Sequence, residues 1–109
     1  MMFENINETK LEESAEEISK SLINNLEKLS LSFQQTLSNT KRGYFYEMTK
    51  KGINNSYQDF SEGVQDKLSF LSGFISEGKR DKYITLAEGI ISKHQEKIDQ
   101  IKSYEKISA

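Results

Sequence analysis

The sequence predicts an all-α protein, folded as an antiparallel up-down-up bundle of three long helices with an eleven-residue apolar periodicity. Apolar residues recur at helical spacing in three successive stretches, the 109 residues include no proline, and 29% of them are charged. High charge and modest apolar content suit elongated helices that each bury a single stripe. Strands are poorly supported, because the chain has no long run of alternating apolar and polar residues.

The first apolar stripe predicts one long amphipathic helix. Its members follow one another at intervals of three or four residues, as one face of an α-helix requires. They are Leu11, Ala15, Ile18, Leu22, Leu26, Leu29, Phe33 and Leu37. An eleven-residue template fits this stripe, whereas a seven-residue template would place Asn25 and Ser32 in the core. Eleven residues in three turns is about 3.67 per turn, so we expect straight or slightly right-handed helices rather than a left-handed coiled coil.

The same eleven-residue spacing predicts two further helices. The second stripe spans residues 46–75, with Ile53, Val64 and Ile75 spaced eleven apart, and the third spans residues 83–107. These two stripes are out of phase, so a turn must separate them. Helices of roughly 30, 33 and 26 residues would be about 40–50 Å long, and their similar lengths would let the stripes cover one another.

Two turns join these helices. Gly78 is a natural C-cap and Asp81 a natural N-cap, which places the second turn between them. The first turn is expected near residues 39–43, where turn-forming residues, a basic pair and a glycine follow one another. A turn near residues 52–56 is the alternative, because the phase of the first stripe continues to Met48.

The beginning of the chain predicts a flexible end over residues 1–7, with residues 8–109 forming one helical domain. Two capping boxes compete for the start of the first helix, at residues 5–8 and at residues 9–12. Five glutamates then fall within residues 8–17, where the positive end of the helix dipole favours negative charge.

The charge distribution restricts the classes of partner. A formal net charge of −2 argues against a broad nucleic-acid footprint. An antiparallel bundle would return the basic turn at Lys79 and Arg80 to the acidic start of the first helix. The short, acidic beginning does not resemble a secretory signal, and the longest apolar runs are too short to span a membrane. We therefore expect a cytoplasmic protein.

No catalytic, cofactor or metal motif is recognisable. The single histidine, His94, occupies a stripe position and is expected to be a partly buried side chain at the edge of the bundle. It has no carboxylate one turn before it, and the chain lacks any glycine-rich phosphate loop. Gly52 and Gly63 lie eleven residues apart. Tight packing inside the bundle is the preferred explanation for these glycines, and a groove for a partner is the alternative.

The best candidate surface lies outside the stripes, at Phe70, Phe74, Leu86 and Ile91. Phe70 and Phe74 are one turn apart and off the core phase of the second helix, and Leu86 and Ile91 of the third helix are expected to lie at a similar height. A contiguous apolar patch of this kind often marks an interface, although a second helix buried on two faces would also explain the phenylalanines. We expect a non-enzymatic protein–protein interaction module, an adaptor, inhibitor or self-associating subunit, which uses this patch.

A lipid-surface protein is the alternative function. The eleven-residue amphipathic period resembles that of exchangeable apolipoproteins and lipid-droplet coat proteins, whose helices can open onto a membrane or droplet. The resemblance is limited to the period and carries no motif. The polar faces also lack the lysine-rich border that is typical of interfacial helices, so a membrane surface ranks behind a protein partner.

Overall fold

The chain folds as a three-helix bundle, as the sequence predicts. The computed structural model describes residues 2–40 and 43–101. Its helices are α1 (Met2–Ser38), α2 (Tyr44–Ser72) and α3 (Glu77–Gln100). Each helix packs against both of the others, and the described residues extend over 72 × 19 × 15 Å. The length of the helices relative to the width of the bundle leaves each helix with a large outward face.

The first turn lies where the sequence predicts it, between Ser38 and Tyr44. Gly43 has φ 109°, a left-handed conformation that favours glycine over residues with a side chain. The alternative turn near residues 52–56 is wrong, because that segment lies inside α2.

The second turn lies earlier than the sequence predicts. The helix α2 ends at Ser72 and α3 begins at Glu77, so Gly78 and Asp81 both lie inside α3 rather than capping it. Burial of one turn residue and a local hydrogen bond to its carbonyl oxygen explain the difference. The Ile75 side chain is buried in the core, and the Arg80 guanidinium donates a hydrogen bond to the Ile75 carbonyl oxygen, with Nη2 at 2.9 Å.

The start of α1 also differs from the prediction. The helix begins at Met2, so the capping boxes at residues 5–8 and 9–12 lie within it and neither one starts it. The division into a flexible end over residues 1–7 and a domain over residues 8–109 stays a prediction. The part of the third stripe beyond Ile101 lies outside the described residues.

The eleven-residue period governs which residues are buried. Buried apolar side chains recur at this spacing in every helix: Ala15, Leu26 and Leu37 in α1, Tyr46, Tyr57 and Leu68 in α2, and Ala87 and Ile98 in α3. The first stripe is nevertheless shifted in phase. Leu11 and Ile18 are about half exposed, whereas Ser19 and Ser30 are buried. The shift arises because α3 packs on the Ser30 side of α1, where His94 contacts Ser30.

Candidate functional site

The structure brings together two of the four residues predicted to bind a partner. Phe70 near the end of α2 and Phe74 in the following turn contact each other edge to face, with ring centroids 5.5 Å apart. Their side chains are 70% and 43% exposed, respectively. Leu11 and Glu12 of α1 line a shallow depression beside Phe74. An exposed aromatic pair therefore lies beside the α1–α2 groove at this end of the bundle.

The other two predicted residues do not complete this patch. Leu86 and Ile91 are five residues apart on α3, which is about 140° around a helix. Leu86 is exposed, whereas Ile91 packs against the core and lines a cavity together with Tyr57 of α2. The expected contiguous patch of Phe70, Phe74, Leu86 and Ile91 is therefore wrong in geometry. Partner binding by these residues stays a prediction.

A second exposed apolar cluster lies at the opposite end, at the start of α2. Tyr44 and Phe45 are 74% and 73% exposed, and Met48 is also exposed. The two aromatic rings contact each other, with centroids 5.9 Å apart. The sequence analysis missed this cluster because Tyr44 and Met48 continue the phase of the first stripe. Adjacent aromatic residues directly after a turn could have signalled it, since two consecutive helical residues cannot both point into one core.

The glycines of α2 are not explained by packing inside the bundle. Among the described residues, a Cβ atom added at Gly52 or Gly63 would meet no side chain or neighbouring segment within 4 Å. The preferred sequence-based explanation, tight packing within the bundle, is therefore wrong. Glycine in a helix interior costs about 1 kcal/mol relative to alanine, and this chain's own packing does not offset that cost.

His94 lies at the centre of the bundle, not at its edge as expected. Its side chain is only 2% exposed. The imidazole Nδ1 lies 2.7 Å from the Ser30 hydroxyl oxygen of α1, and the ring stacks on Tyr57 of α2 at a centroid distance of 3.6 Å. The Tyr57 hydroxyl in turn donates to the Leu26 carbonyl oxygen at 3.2 Å. One polar layer thus connects all three helices.

The hydrogen bonds of this layer fit either tautomer of a neutral imidazole. The Gln34 amide donates to the Ser30 oxygen at 2.9 Å, and Ser30 can either donate its hydroxyl hydrogen to His94 Nδ1 or accept one from it. The other ring nitrogen, Nε2, has no hydrogen-bond partner among the described residues. Burial lowers the pKa of His94 below its ordinary value of 6.5. The ring is therefore neutral at pH 7.

A cavity of about 240 Å³ lies beside His94 between α2 and α3. It is lined by Asn54, Tyr57, Gln58, Ser61, Ile91, His94 and Gln95. The Asn54 side-chain oxygen is also buried without a hydrogen-bond partner among the described residues. A polar cavity of this size has room for several water molecules that could satisfy both groups. Within the described residues, His, Asp and Glu side chains form no group of three that could hold a metal ion.

Polar contacts connect the acidic start of α1 to the second turn, as the charge pattern predicts. The Glu12 carboxylate accepts a hydrogen bond from the Ser76 backbone N–H at 2.8 Å, which lowers the pKa of Glu12. The Tyr83 hydroxyl donates to Glu16 at 2.8 Å, and burial together with this bond raises the pKa of Tyr83 to about 12. Lys79 Nζ lies 3.6 Å from the same Glu16 carboxylate.

The fold and these surfaces define an elongated all-α bundle with a polar central layer and two exposed aromatic clusters. Comparison with protein-family models, curated proteins and solved structures finds no match for this chain. Over the described residues, no helix combines the length and the apolar character needed to cross a membrane.

Proposed function

We propose that this chain is a non-enzymatic protein–protein interaction module, working in the cytoplasm as an adaptor, an inhibitor or a self-associating subunit. The observation that carries the proposal is the exposed pair of Phe70 and Phe74, whose rings contact each other in solvent. Burying a phenylalanine side chain is worth about 1.5–3 kcal/mol, and in the isolated chain Phe70 forgoes most of this free energy and Phe74 somewhat less than half of it. A partner that covers both rings would recover that free energy.

The chemistry around His94 supports a role without catalysis. The imidazole is the only one in the chain, and it is enclosed between Ser30 and Tyr57. Among the described residues, no carboxylate is hydrogen-bonded to the ring, whereas a catalytic histidine is oriented by such a third group. A structural role explains the polar layer better than a catalytic one. Each helix contributes one polar group to the layer, so its hydrogen bonds set how the three helices align along their axes.

The double substitution Phe70→Ser/Phe74→Ser tests the proposal. We expect it to lower the solution mass, or to remove a partner captured from the native source, while leaving helicity by circular dichroism unchanged. Leu31→Ser is the matched control, because Leu31 is also a large exposed apolar residue but belongs to α1. The proposal is wrong if the double variant changes neither the mass measured by light scattering nor partner capture. Fractionation of the native source tests the cytoplasmic location.

A lipid-surface protein is the second candidate function, and the cluster of Tyr44, Phe45 and Met48 favours it. These residues are exposed at one tip of the bundle, and Lys51 follows Met48 within one turn. Lys50 points instead toward α3, where its Nζ lies 3.8 Å from the Asp99 carboxylate. Aromatic residues beside basic ones suit the interface of an anionic membrane. Flotation with anionic vesicles separates the two functions: a lipid binder co-floats and loses this on Tyr44→Ser/Phe45→Ser, whereas a closed bundle does not float.

A further inference from the structure

Four residues on the outer face of α2 have a symmetric spacing, which is the same when it is counted from either end of the helix. Phe45, Gly52, Gly63 and Phe70 are separated by seven, eleven and seven residues. Seven residues are nearly two helical turns and eleven are nearly three, so all four positions point within about 20° of one direction. Both phenylalanines are more than two-thirds exposed. We name these four residues the outer stripe.

The composition of the outer stripe is not explained by the isolated chain. The two glycines weaken the helix by about 1 kcal/mol each relative to alanine, although a Cβ at either position would meet no neighbouring segment of the described residues within 4 Å. The two phenylalanines leave their rings in solvent at the ends of the same stripe. Small residues at the middle of a helix face and aromatic residues at its ends suit a second helix that approaches closely along that face.

We propose that the outer stripe is the contact surface between two copies of this chain, which pair antiparallel about a two-fold axis. The inference rests on the proposed function and names its partner. An axis at the midpoint between Tyr57 and Gln58 would place Gly52 opposite the partner's Gly63 and Phe45 opposite the partner's Phe70. A two-fold contact requires a surface that is complementary to itself, and the symmetric spacing of the outer stripe meets that requirement.

Charges at the centre of this face are complementary under the same symmetry. The Tyr57 hydroxyl reaches the Leu26 carbonyl oxygen, so the proposed axis lies level with Leu26 of α1. Lys28 of α1 lines the shallow α1–α2 groove together with Phe60. Asp59 precedes Phe60 by one residue and therefore lies about 100° away around α2, on the other side of the outer stripe. The two-fold axis brings Lys28 of each copy toward the partner's Asp59. Opposite charges then alternate around the axis and reduce the repulsion between the two copies of Asp59.

The area of this face is sufficient for a reversible dimer. From Phe45 to Phe70 the helix is about 38 Å long, and the bundle is 15–19 Å wide. A contact of this length and width buries about 600 Å² per copy and about 1,200 Å² in total, which is the lower end of the range for specific interfaces. We therefore expect a reversible dimer whose population depends on protein concentration.

The double substitution Gly52→Gln/Gly63→Gln tests this geometry because it changes folding and pairing in opposite directions. Glutamine favours helix more than glycine does, so the melting temperature of the monomer should rise. Bulky side chains should separate the two copies and weaken dimerisation at least about tenfold, which corresponds to about 1.4 kcal/mol. Gly89→Gln is the matched control: Gly89 is a helical glycine with open space around its Cβ position, but it lies on α3.

Sedimentation equilibrium across a broad concentration series provides the measurement. Lys28→Glu and Asp59→Lys should each weaken the dimer, and the combined swap should restore it. A wild-type chain that stays monomeric throughout, or glutamine variants that dimerise like the wild type, would overturn the dimer. If the chain is monomeric and Phe70→Ser/Phe74→Ser still abolishes capture of a different protein, the dimer fails and the proposed function stands. If mass and capture are both insensitive to that variant, both fail.

Discussion

The two faces of α2 follow the same eleven-residue period but have opposite environments. The inner face fills the core with side chains such as Val64 and Leu68, each at most 3% exposed. The outer face has glycine at its middle positions, including Gly63, and exposed phenylalanine near its ends, including Phe70. The comparison shows that periodicity alone does not identify a core. Residue size makes the distinction. The face that packs in the core has a medium-sized or large side chain at each repeat, whereas the face toward solvent has glycine at its middle repeats.

The largest expected effect separates the two faces directly. Leu68→Ala should lower the free energy of unfolding by about 2–5 kcal/mol, because it leaves a cavity in the core. Phe70→Ala, two residues later on the same helix, should change it by less than about 0.5 kcal/mol. Urea unfolding at one low protein concentration, followed by circular dichroism, measures both. Equal losses for the two variants would contradict the assignment of Phe70 to an open face.

A smaller loss of stability is expected when the polar layer of Ser30, Tyr57 and His94 is disrupted. Ser30→Ala should cost about 1–3 kcal/mol, because it leaves His94 Nδ1 buried without its hydrogen-bond partner. The double variant Ser30→Ala/His94→Leu should recover part of this loss, since it replaces both polar groups by apolar ones. The same unfolding measurement applies. Additive losses in the double variant would mean that the two side chains are not coupled as the structure shows.

The smallest expected effect is a pH dependence of stability that originates from His94. Its pKa is lowered by burial in the folded chain, so the unfolded chain takes up a proton near pH 6.5 that the folded chain does not bind. The free energy of unfolding should therefore fall as the pH decreases from about 6.5 toward the lower folded-state pKa. Above about pH 6.5, the contribution of neutral His94 to stability should be complete. Ionisable groups around the ring are Glu27 from α1, Tyr57 from α2, and Lys93 and Lys97 from α3.

His94→Gln is the control for this prediction, because glutamine does not titrate. The slope of stability against pH just below about 6.5 should disappear in this variant. Glu12 does not interfere in that window. Its pKa is lowered from 4.5 by the hydrogen bond from Ser76, so its contribution is lost only at lower pH. An unchanged slope in His94→Gln would show that another group causes the dependence.

The sequence predicted the fold class because apolar spacing is a local property of a helix. Repeats of eleven residues in all three stripes indicated long, straight helices, and Gly43 indicated the first turn. The second turn was misplaced by several residues. Gly78 and Asp81 are good local signals, but burial of Ile75 and the hydrogen bond from Arg80 to its carbonyl oxygen outweigh them.

The candidate site was predictable only in part. Phe70 and Phe74 are one turn apart, so their proximity follows from the chain itself. Leu86 and Ile91 were assigned to the same patch by height alone, because the rotation of α3 about its axis depends on how it packs. Packing inside the bundle was expected at Gly52 and Gly63 but is not found. The open space around their Cβ positions among the described residues depends on where the three helices lie, so the sequence could not reveal it.

By itself, the sequence determined the number of helices and their period, because each depends on residues that are close together in the chain. It favoured the correct position for the first turn, but only the structure excluded the alternative near residues 52–56. Only the tertiary structure decided which residues of each stripe are buried. Ser19, Ser30 and His94 entered the core while Leu11 and Ile18 stayed half exposed. The physical reason is that a helix in a three-helix bundle rotates to satisfy contacts with two neighbours at once, and a stripe on one helix carries no information about either neighbour.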